Sequence, residues 1–328
     1  MIPSADSCAP VCSHANINKK SRLILFYWKA TTMKYPFLIS IPHGGVEVPA
    51  EVSGRIALSE PEIRWYCDPA TRLLFDFGSS VESTIDTSIS RMVIDLNRPP
   101  LPLPPKDPDG VIKVLTVDSR NVYLPGQLPD LPLIHRLMMK WYFPYHQRID
   151  ELIDRYPVRI AFDCHSMQPY GSAEQNDAGK PRPLICLGNY GDQNGWAKPG
   201  SITTCPADWI ISLADAFREE FPGTGDVAIN TPFSGGFISN AHYWRKGVPW
   251  IQIEVNRTLY EPHGTLAHPS EMIEERIPVL RSRIWSVLTR FWDGITVDAP
   301  PGGEDLAGSY DKERPDARTG TPIHEEDN

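Results

Sequence analysis

The stretch FLISIPHGGVE, residues 37–47, joins a run of apolar residues to a histidine, two glycines and a glutamate. Its first half, Phe37–Ile41, predicts a strand that is buried on both faces, because such strands read as nearly continuous hydrophobic runs. Similar runs predict further strands, the last of them the weakest: Met92–Leu96, Val158–Phe162, Trp250–Val255 and Leu184–Leu187. Several buried strands in one chain indicate a central sheet.

Amphipathic segments lie between these runs and predict helices: Pro61–Phe77, Leu133–Tyr156, Asp208–Phe221 and Pro269–Trp292. Pro144 predicts a kink in the second helix. Strands that alternate with helices are typical of an α/β fold whose mostly parallel sheet is covered on both faces. The Pro-rich segment 99–132 is too long for a simple connection, so we expect it to form a rim or lid over a site.

The two ends of the chain differ from its middle in charge. Residues 1–33 carry a net charge of +3, and residues 298–328 hold nine acidic and three basic residues with repeated Pro and Gly. Such a tail buries too little apolar surface to offset the entropy of ordering. We expect a poorly ordered leader over 1–33, one catalytic domain over 34–295 and a disordered acidic tail over 296–328.

Composition and charge argue against two classes of protein, those that bind nucleic acids and those that span a membrane. The chain has 328 residues, is 41% hydrophobic and has a formal net charge of −9. That charge argues against a protein that binds nucleic-acid phosphates, and no window approaches the roughly 20 apolar residues of a membrane span. The six cysteines form no CxxC pair, which predicts reduced thiols in a cytoplasmic protein. We expect neither a nucleic-acid nor a membrane partner.

Polar and ionisable residues stand at the carboxyl ends of the predicted strands: His43 and Glu47, Asn97 and Arg98, Asp163 and His165, and Glu254 and Arg257. Open α/β sheets bind their ligands at this edge. We therefore expect these side chains to meet in one site.

Two imidazoles and one carboxylate are the usual protein ligands of a catalytic zinc ion. His43, Glu47 and His165 supply that set, so we expect one Zn²⁺ per chain. A bound zinc activates water while a separate carboxylate passes a proton to the leaving amine, and we assign that role to Glu254. Taken singly, each residue is more often a structural histidine or a solvated glutamate. Asp163 either orients an imidazole or is itself a ligand.

Arg91, Arg98 and Arg257 are candidates for binding a substrate carboxylate or a developing oxyanion, because guanidinium offers a planar pair of donors. Singly, an arginine is more often a surface ion-pair partner. The Gly235–Gly236 pair indicates either a close backbone approach or a plain tight turn. Asp68, near the head of a predicted helix, is either an N-cap or a carboxylate that supports a metal ligand.

Several stretches occur in an order that resembles N-formylglutamate amidohydrolases: SIPHGGVEVP, CDPATRLLFDFG followed by SRMVIDLNRPP, YLPGQLP, DCHSM, NTPFSGGFI and IQIEVNRTLY. The resemblance covers about residues 36–290. That family is similar in turn to the zinc carboxypeptidase and aspartoacylase group. The resemblance therefore implies a three-layer α/β/α sandwich around a mostly parallel, mixed sheet.

The resemblance also implies roles, residue by residue: His43, Glu47 and His165 bind the metal, Glu254 transfers the proton, Asn97 and Arg98 bind a substrate carboxylate, and Arg91 polarises the scissile carbonyl. One spacing departs from the carboxypeptidase-like pattern. Two residues separate the histidine from the glutamate in that group, whereas three separate His43 from Glu47 here.

The reaction so implied is zinc-dependent hydrolysis of the amide bond of a small, anionic N-acyl amino acid. The specific expectation is conversion of N-formyl-L-glutamate and water to formate and L-glutamate, a step of histidine degradation. The alternatives are another N-acyl amino acid or a short peptide cleaved in carboxypeptidase fashion, and formate among the products distinguishes them. A non-catalytic binding protein would be expected to lack a ligand or the base, whereas His43, His165 and Glu254 are all present.

Overall fold

A computed structural model describes residues 34–222, 227–262, 264–266 and 270–297 of the chain. The predicted leader over 1–33 lies outside these residues, as does the predicted tail from residue 298 onward.

A sheet of six strands forms the centre of the described part of the chain: β1 Tyr35–Ile41, β2 Val81–Asp86, β3 Ile160–Met167, β4 Ile185–Gly188, β5 Val227–Ile229 and β6 Trp250–Asn256. The strands lie in the order β2-β1-β3-β6-β4-β5. β4 runs antiparallel to β6, and the other neighbouring pairs are parallel. The sheet is therefore mixed and mostly parallel, as predicted.

Helices connect these strands: α1 Ala50–Ser53, α2 Glu60–Tyr66, α3 Thr71–Leu74, α4 Leu131–Leu137, α5 Phe143–Arg155, α6 Ala207–Glu220, α7 Phe237–Lys246 and α8 Arg276–Val297. A π-helical turn, Met138–Tyr142, joins α4 to α5 where Pro144 predicts a kink, since a proline removes one backbone donor from the helix. Among the described helices, none combines the length and hydropathy that a membrane span requires.

Side-chain alternation along the central strands divides the protein into two cores. Phe162 of β3 and Ile253 of β6 face a core that includes residues of α3, α6 and α8. Ala161, one residue before Phe162, and Trp250, three residues before Ile253, face a second core with residues of α2, α4, α5 and α7. Successive strand residues point to opposite faces, so helices cover both faces of the sheet. The predicted three-layer α/β/α sandwich is confirmed.

The second face becomes polar toward the carboxyl ends of the strands. Asp163 and His165 follow Ala161 on this face of β3, and Gln252 and Glu254 occupy the same face of β6. The parallel register places Asp163 beside Gln252 and His165 beside Glu254. All four side chains are buried, so the sheet itself brings a cluster of polar groups to one edge.

The predicted strand Met92–Leu96 is wrong, because these residues are buried but form turns. The backbone N–H of Asp95 donates to the carbonyl of Val111 at 2.8 Å, and the Leu96 carbonyl lies 3.1 Å from the ring of His146. A hydrophobic run predicts burial but does not specify which groups form hydrogen bonds with its backbone. In this segment the partners are the backbone of Val111, in a loop, and the side chain of His146.

The predicted helix Pro61–Phe77 is interrupted between α2 and α3. Pro69 cannot donate a backbone hydrogen bond, and the N–H of Asp68 donates to the carbonyl of His43 at 2.9 Å. The break therefore fixes Asp68 beside the carboxyl end of β1, although the sequence pattern predicts a continuous helix there.

The remaining predicted elements are confirmed in kind, with ends that shift by a few residues. The exception is the start of α8, which begins at Arg276 rather than Pro269. The sequence pattern does not predict α1, β2, β5 or α7. β2, with the sequence VESTID, is only half buried, and β5 has only three residues. Both therefore lack the long apolar run that identifies the central strands.

Candidate functional site

A cavity of about 190 Å³ opens at the carboxyl ends of β1, β3 and β6. Seven of the eight predicted site residues line it: His43, Arg91, Asn97, Arg98, His165, Glu254 and Arg257. The eighth, Glu47, is not among the lining residues. The carboxyl edge of the sheet therefore assembles most of the predicted site.

His43, Asp68 and His165 form a buried cluster at the base of the cavity, with one ligand atom of each within 4.8 Å of the others. Asp68 Oδ2 lies 3.4 Å from His165 Nδ1 and 3.7 Å from His43 Nδ1. The two imidazole rings are 4.7 Å apart between centroids. Three groups that ligate metals thus point to one small volume.

The far nitrogen of each imidazole lies beside a carboxylate. His43 Nε2 is 2.7 Å from Asp95 Oδ1, and His165 Nε2 is 3.1 Å from Asp163 Oδ2. An ionised carboxylate only accepts, so each Nε2 donates its proton to Asp95 or Asp163. Each Nδ1 faces Asp68 instead, where it could ligate a cation once that nitrogen carries no proton. His43 Nδ1 is buried with no hydrogen-bond partner. This donor set fits a divalent cation such as zinc.

Glu47 lies away from this cluster. Its carboxylate is exposed and accepts a hydrogen bond from Ser88 Oγ at 2.8 Å. The backbone at Gly45 passes so close to Ser88 that a Cβ there would lie 2.2 Å from the Ser88 carbonyl carbon. This contact directs the following residues along the 88–90 segment. The structure therefore does not bring Glu47 to the predicted metal site, and Asp68 stands where the carboxylate ligand was expected.

Asp68 is held by protein groups on its other side. Arg257 Nη2 lies 3.3 Å from Asp68 Oδ1, and the same guanidinium donates to the carbonyls of Trp65 and Cys67. Burial alone would raise the pKa of Asp68, but the neighbouring His165, His43 and Arg257 outweigh it and lower that pKa. Asp68 is therefore an anion. The Asp-Pro pair inside a helical pattern was the available sequence signal.

Asp95 connects the His43–Asp68–His165 cluster to a cationic wall of the cavity that includes Arg91 and Lys113. Its fully buried carboxylate lies 2.7 Å from His43 Nε2, 2.8 Å from Arg91 Nη2 and 3.0 Å from Lys113 Nζ. Burial would raise the pKa of Asp95, but Arg91, His43 and Lys113 lower it well below its usual value. Sequence reasoning missed Asp95 because it lies inside an apolar run.

Glu254 lies beside His165 in the register of β3 and β6. Gln252 Nε2 donates to Glu254 Oε1 at 2.8 Å, which fixes the carboxyl group. Burial raises the pKa of Glu254 to about 7, although the nearby His165 opposes that shift. A carboxyl group that titrates near neutrality can both accept and return a proton.

The predicted substrate-binding residues differ in how many of their polar atoms already form hydrogen bonds within the protein. Arg91 donates to Asp95, and the half-exposed Arg98 donates to Asp109 at 2.8 Å. Asn97 is more constrained, since its Nδ2 donates to Asp163 and its Oδ1 accepts from the N–H of Ile238. Lys113 and Arg182, which were not predicted, also line the cavity. Its walls therefore suit a small anionic ligand.

Gly236 lies against Asn97. A Cβ on Gly236 would lie 2.2 Å from Asn97 Nδ2, so of the two interpretations of the Gly235–Gly236 pair, close backbone approach is confirmed. This contact helps to fix the orientation of the Asn97 amide.

We expect Asp95→Asn to lower metal affinity by about 10–100-fold, the usual cost of removing a carboxylate that orients a histidine ligand. The amide keeps the size of the side chain but removes the charge that faces His43, Arg91 and Lys113. Competition with a chromophoric chelator measures the affinity. Unchanged metal affinity in a folded Asp95→Asn protein would contradict this role for Asp95.

Comparison with known proteins gives two kinds of match. The family model described as N-formylglutamate amidohydrolase matches residues 35–261. The N-formylglutamate deformylase of Pseudomonas aeruginosa is 26% identical over 268 residues, which cover 78% of this chain and 93% of the relative. That of Pseudomonas putida is 27% identical over 263 residues, or 74% of this chain and 91% of the relative.

Solved structures show the same fold. The crystal structure of an N-formylglutamate amidohydrolase from Ralstonia eutropha JMP134 matches with a TM-score of 0.62 and 21% identity, covering 81% of this chain and 96% of that one. A gene product from Agrobacterium tumefaciens matches with a TM-score of 0.56 and 18% identity, covering 81% and 94%. The described sheet and its helices are therefore an arrangement already seen in crystals.

Proposed function

The chain belongs to the N-formylglutamate amidohydrolase family, and from that premise we propose that it hydrolyses N-formyl-L-glutamate to formate and L-glutamate at a zinc centre. The observation that carries this proposal is the convergence of two imidazole nitrogens and the Asp68 carboxylate beside a buried glutamate. We assign the activity to a catalytic domain over residues 34–295.

We propose His43, Asp68 and His165 as the ligands of one zinc ion. Bound there, zinc would supply a water of lowered pKa and polarise the formyl carbonyl. Asp95 and Asp163 hold the two rings with Nδ1 toward Asp68, and Arg257 holds Asp68. The cluster is thus oriented from behind by charged groups, which supports a preformed site.

Glu254 is the proposed proton carrier. As a carboxylate it accepts a proton from the attacking water, and as an acid it returns that proton to the nitrogen of the departing glutamate. Gln252 holds one oxygen of this carboxyl group, which leaves the other for the reaction. Atoms balance, because one water is consumed while the C–N bond breaks and formate and L-glutamate leave.

The positively charged residues that line the cavity favour a dianionic substrate. We propose that Arg98 and Asn97 bind a substrate carboxylate and that Arg91 faces the scissile carbonyl. Arg98 retains 39% side-chain exposure while lining the cavity, so its guanidinium is accessible to a ligand. Both terminal nitrogens of Arg257 contact Asp68 or backbone carbonyls, and that arrangement favours a positioning role for it over substrate contact.

The raised pKa of Glu254 predicts an acid limb in the activity profile. The proton carrier must begin as a carboxylate, so kcat/KM should rise with pH up to about 7 and fall about tenfold per unit below the limb. Initial rates from pH 5 to 8.5, with thermal melts as a control for folding, measure this. A flat kcat/KM profile over that range would exclude Glu254 as the titrating base.

Formate release from matched substrates tests the function itself. We expect kcat/KM for N-formyl-L-glutamate to exceed that for N-formyl-L-glutamine by roughly 10–100-fold, because the glutamine analogue loses one charged hydrogen-bonding group. N-acetyl-L-glutamate tests the acyl group. Preference for the acetyl compound, or release of an amino acid from a short peptide without formate, would favour the alternative N-acyl or carboxypeptidase-like hydrolases.

The four described cysteines, Cys67, Cys164, Cys186 and Cys205, are buried free thiols. Unbridged thiols are usual in a reducing compartment. This observation supports our proposal of a cytoplasmic location.

A further inference from the structure

Two histidines that take no part in the proposed chemistry lie beneath the turn formed by Asp95–Arg98. His146 Nδ1 of α5 is 2.9 Å from His242 Nε2 of α7, and His242 Nδ1 is 2.9 Å from Asp150 Oδ1. At the other end of this chain of contacts, His146 Nε2 is 3.1 Å from the carbonyl of Leu96. A buried relay therefore connects a helical carboxylate to the backbone beside the active site.

The turn that the relay reaches orients most of the site. Asp95 holds the metal-binding His43 and also Arg91. Asn97 Nδ2 donates to Asp163, the carboxylate that holds His165. Arg98 lines the cavity. A shift of this one turn would therefore misplace both imidazoles and the cationic wall together.

The π-helical turn and α7 also contact this turn, at Arg98 and at Asn97. The Tyr142 hydroxyl, at the end of the π-helical turn, donates to the carbonyl of Arg98 at 2.8 Å. The backbone N–H groups of Phe237 and Ile238, at the start of α7, face the carbonyl and the side-chain oxygen of Asn97. Tyr142 and His146 are four residues apart, hence on one face of the helix.

We propose that His146 is a positioning residue that fixes the Asp95–Arg98 turn through a hydrogen bond to the Leu96 carbonyl. The expected effect on catalysis rests on the proposed function, whereas the effect on the turn itself does not. Leu96 is buried, so its carbonyl would otherwise lack a partner, and an unpaired buried carbonyl strongly favours rearrangement.

The two ends of the relay fix where the ring protons lie. The Leu96 carbonyl only accepts, so His146 Nε2 donates, and the Asp150 carboxylate only accepts from His242 Nδ1. A hydrogen bond at the inner contact would need a third proton, but burial lowers the pKa of both imidazoles, that of His146 to about 3. Both rings are therefore neutral, and His146 Nδ1 and His242 Nε2 face each other without a shared proton. Neutral rings still make both end bonds, and the hold on Leu96 needs only those.

Two substitutions separate the two functions of His146. A glutamine amide nitrogen reaches as far from Cα as Nε2, so His146→Gln retains a donor for Leu96 and gives up the contact with His242. An asparagine amide reaches only as far as Nδ1, so His146→Asn retains the contact with His242 and gives up Leu96. Tyr142→Phe removes the parallel bond to the Arg98 carbonyl without changing the aromatic packing.

Hydrogen exchange in the metal-free protein provides a readout that depends on neither metal nor turnover. We expect amides 95–98 to exchange about tenfold faster in His146→Asn and in Tyr142→Phe than in the wild type, and His146→Gln to stay within about threefold. Metal affinity and kcat/KM should be lowered most in His146→Asn and Tyr142→Phe and least in His146→Gln. The melting temperatures of the three variants should not follow this order.

Equal exchange in the glutamine and asparagine variants, with activity that follows only the melting temperature, would overturn the proposal and leave the relay as a simple link between α5 and α7. If the wild type releases no formate, the proposed function fails, but exchange at 95–98 still decides whether His146 positions the turn. If the asparagine variant does not fold, His146→Gln decides the question: exchange at 95–98 within about threefold of the wild type supports the Leu96 contact, and exchange about tenfold faster contradicts it.

Discussion

Glu254→Gln is expected to lower kcat for formate release by about 10²–10⁴-fold, the usual contribution of a positioned general base and acid. Glutamine keeps the size of the side chain and its place beside Gln252 and His165, but it cannot accept a proton from water. Metal content should stay at the wild-type level, because the carboxylate of Glu254 is not among the proposed ligands.

Retained metal with lost turnover is the diagnostic combination for this variant. A single-turnover measurement with quantified formate distinguishes a slow chemical step from slow product release. Loss of metal in a folded Glu254→Gln protein would show that Glu254 is a ligand rather than the proton carrier, and turnover within tenfold of the wild type would exclude both roles.

Asp68→Asn is expected to reduce metal affinity by more than about 100-fold, and activity at low metal concentration with it, since it removes the only carboxylate of the ligand cluster described by the structure. Glu47→Gln provides a matched control. Both changes replace a carboxylate with its amide, and both residues stand close in sequence to a predicted site motif, but Glu47 is exposed and bonded to Ser88.

These two variants distinguish Asp68, the carboxylate ligand that the structure supports, from Glu47, the ligand that the sequence predicts. We expect the Glu47→Gln protein to bind metal and release formate within about twofold of the wild type. Metal titration with chelator competition and the apoprotein melting temperature should be measured for both. The reverse pattern, with metal lost in Glu47→Gln and kept in Asp68→Asn, would contradict the His43–Asp68–His165 site.

The sequence predicts the sheet and the two imidazoles well, for a physical reason. β1, β3 and β6 are buried on both faces, so each carries a continuous apolar run. The residues at their carboxyl ends are placed by the strands themselves. His43, His165 and Glu254 therefore reach the cavity whatever the connecting loops do.

The carboxylates could not be assigned in the same way, because their positions depend on loops. Asp68 enters the site only because the helical pattern breaks at Pro69 and its N–H bonds to His43. Asp95 enters because residues 92–96 form turns rather than a strand. Glu47 follows the close approach of Gly45 to Ser88. Periodicity describes burial along one element, whereas these contacts join distant segments.

Titration of zinc into the metal-free protein, with formate release from N-formyl-L-glutamate as the signal, tests the central claim most directly. We predict that activity is absent after chelation and returns in proportion to added zinc, with the break at one ion per chain. Full formate release by protein shown to be free of metal, or no release at any zinc concentration, would contradict a single His43–Asp68–His165 zinc centre that hydrolyses N-formylglutamate.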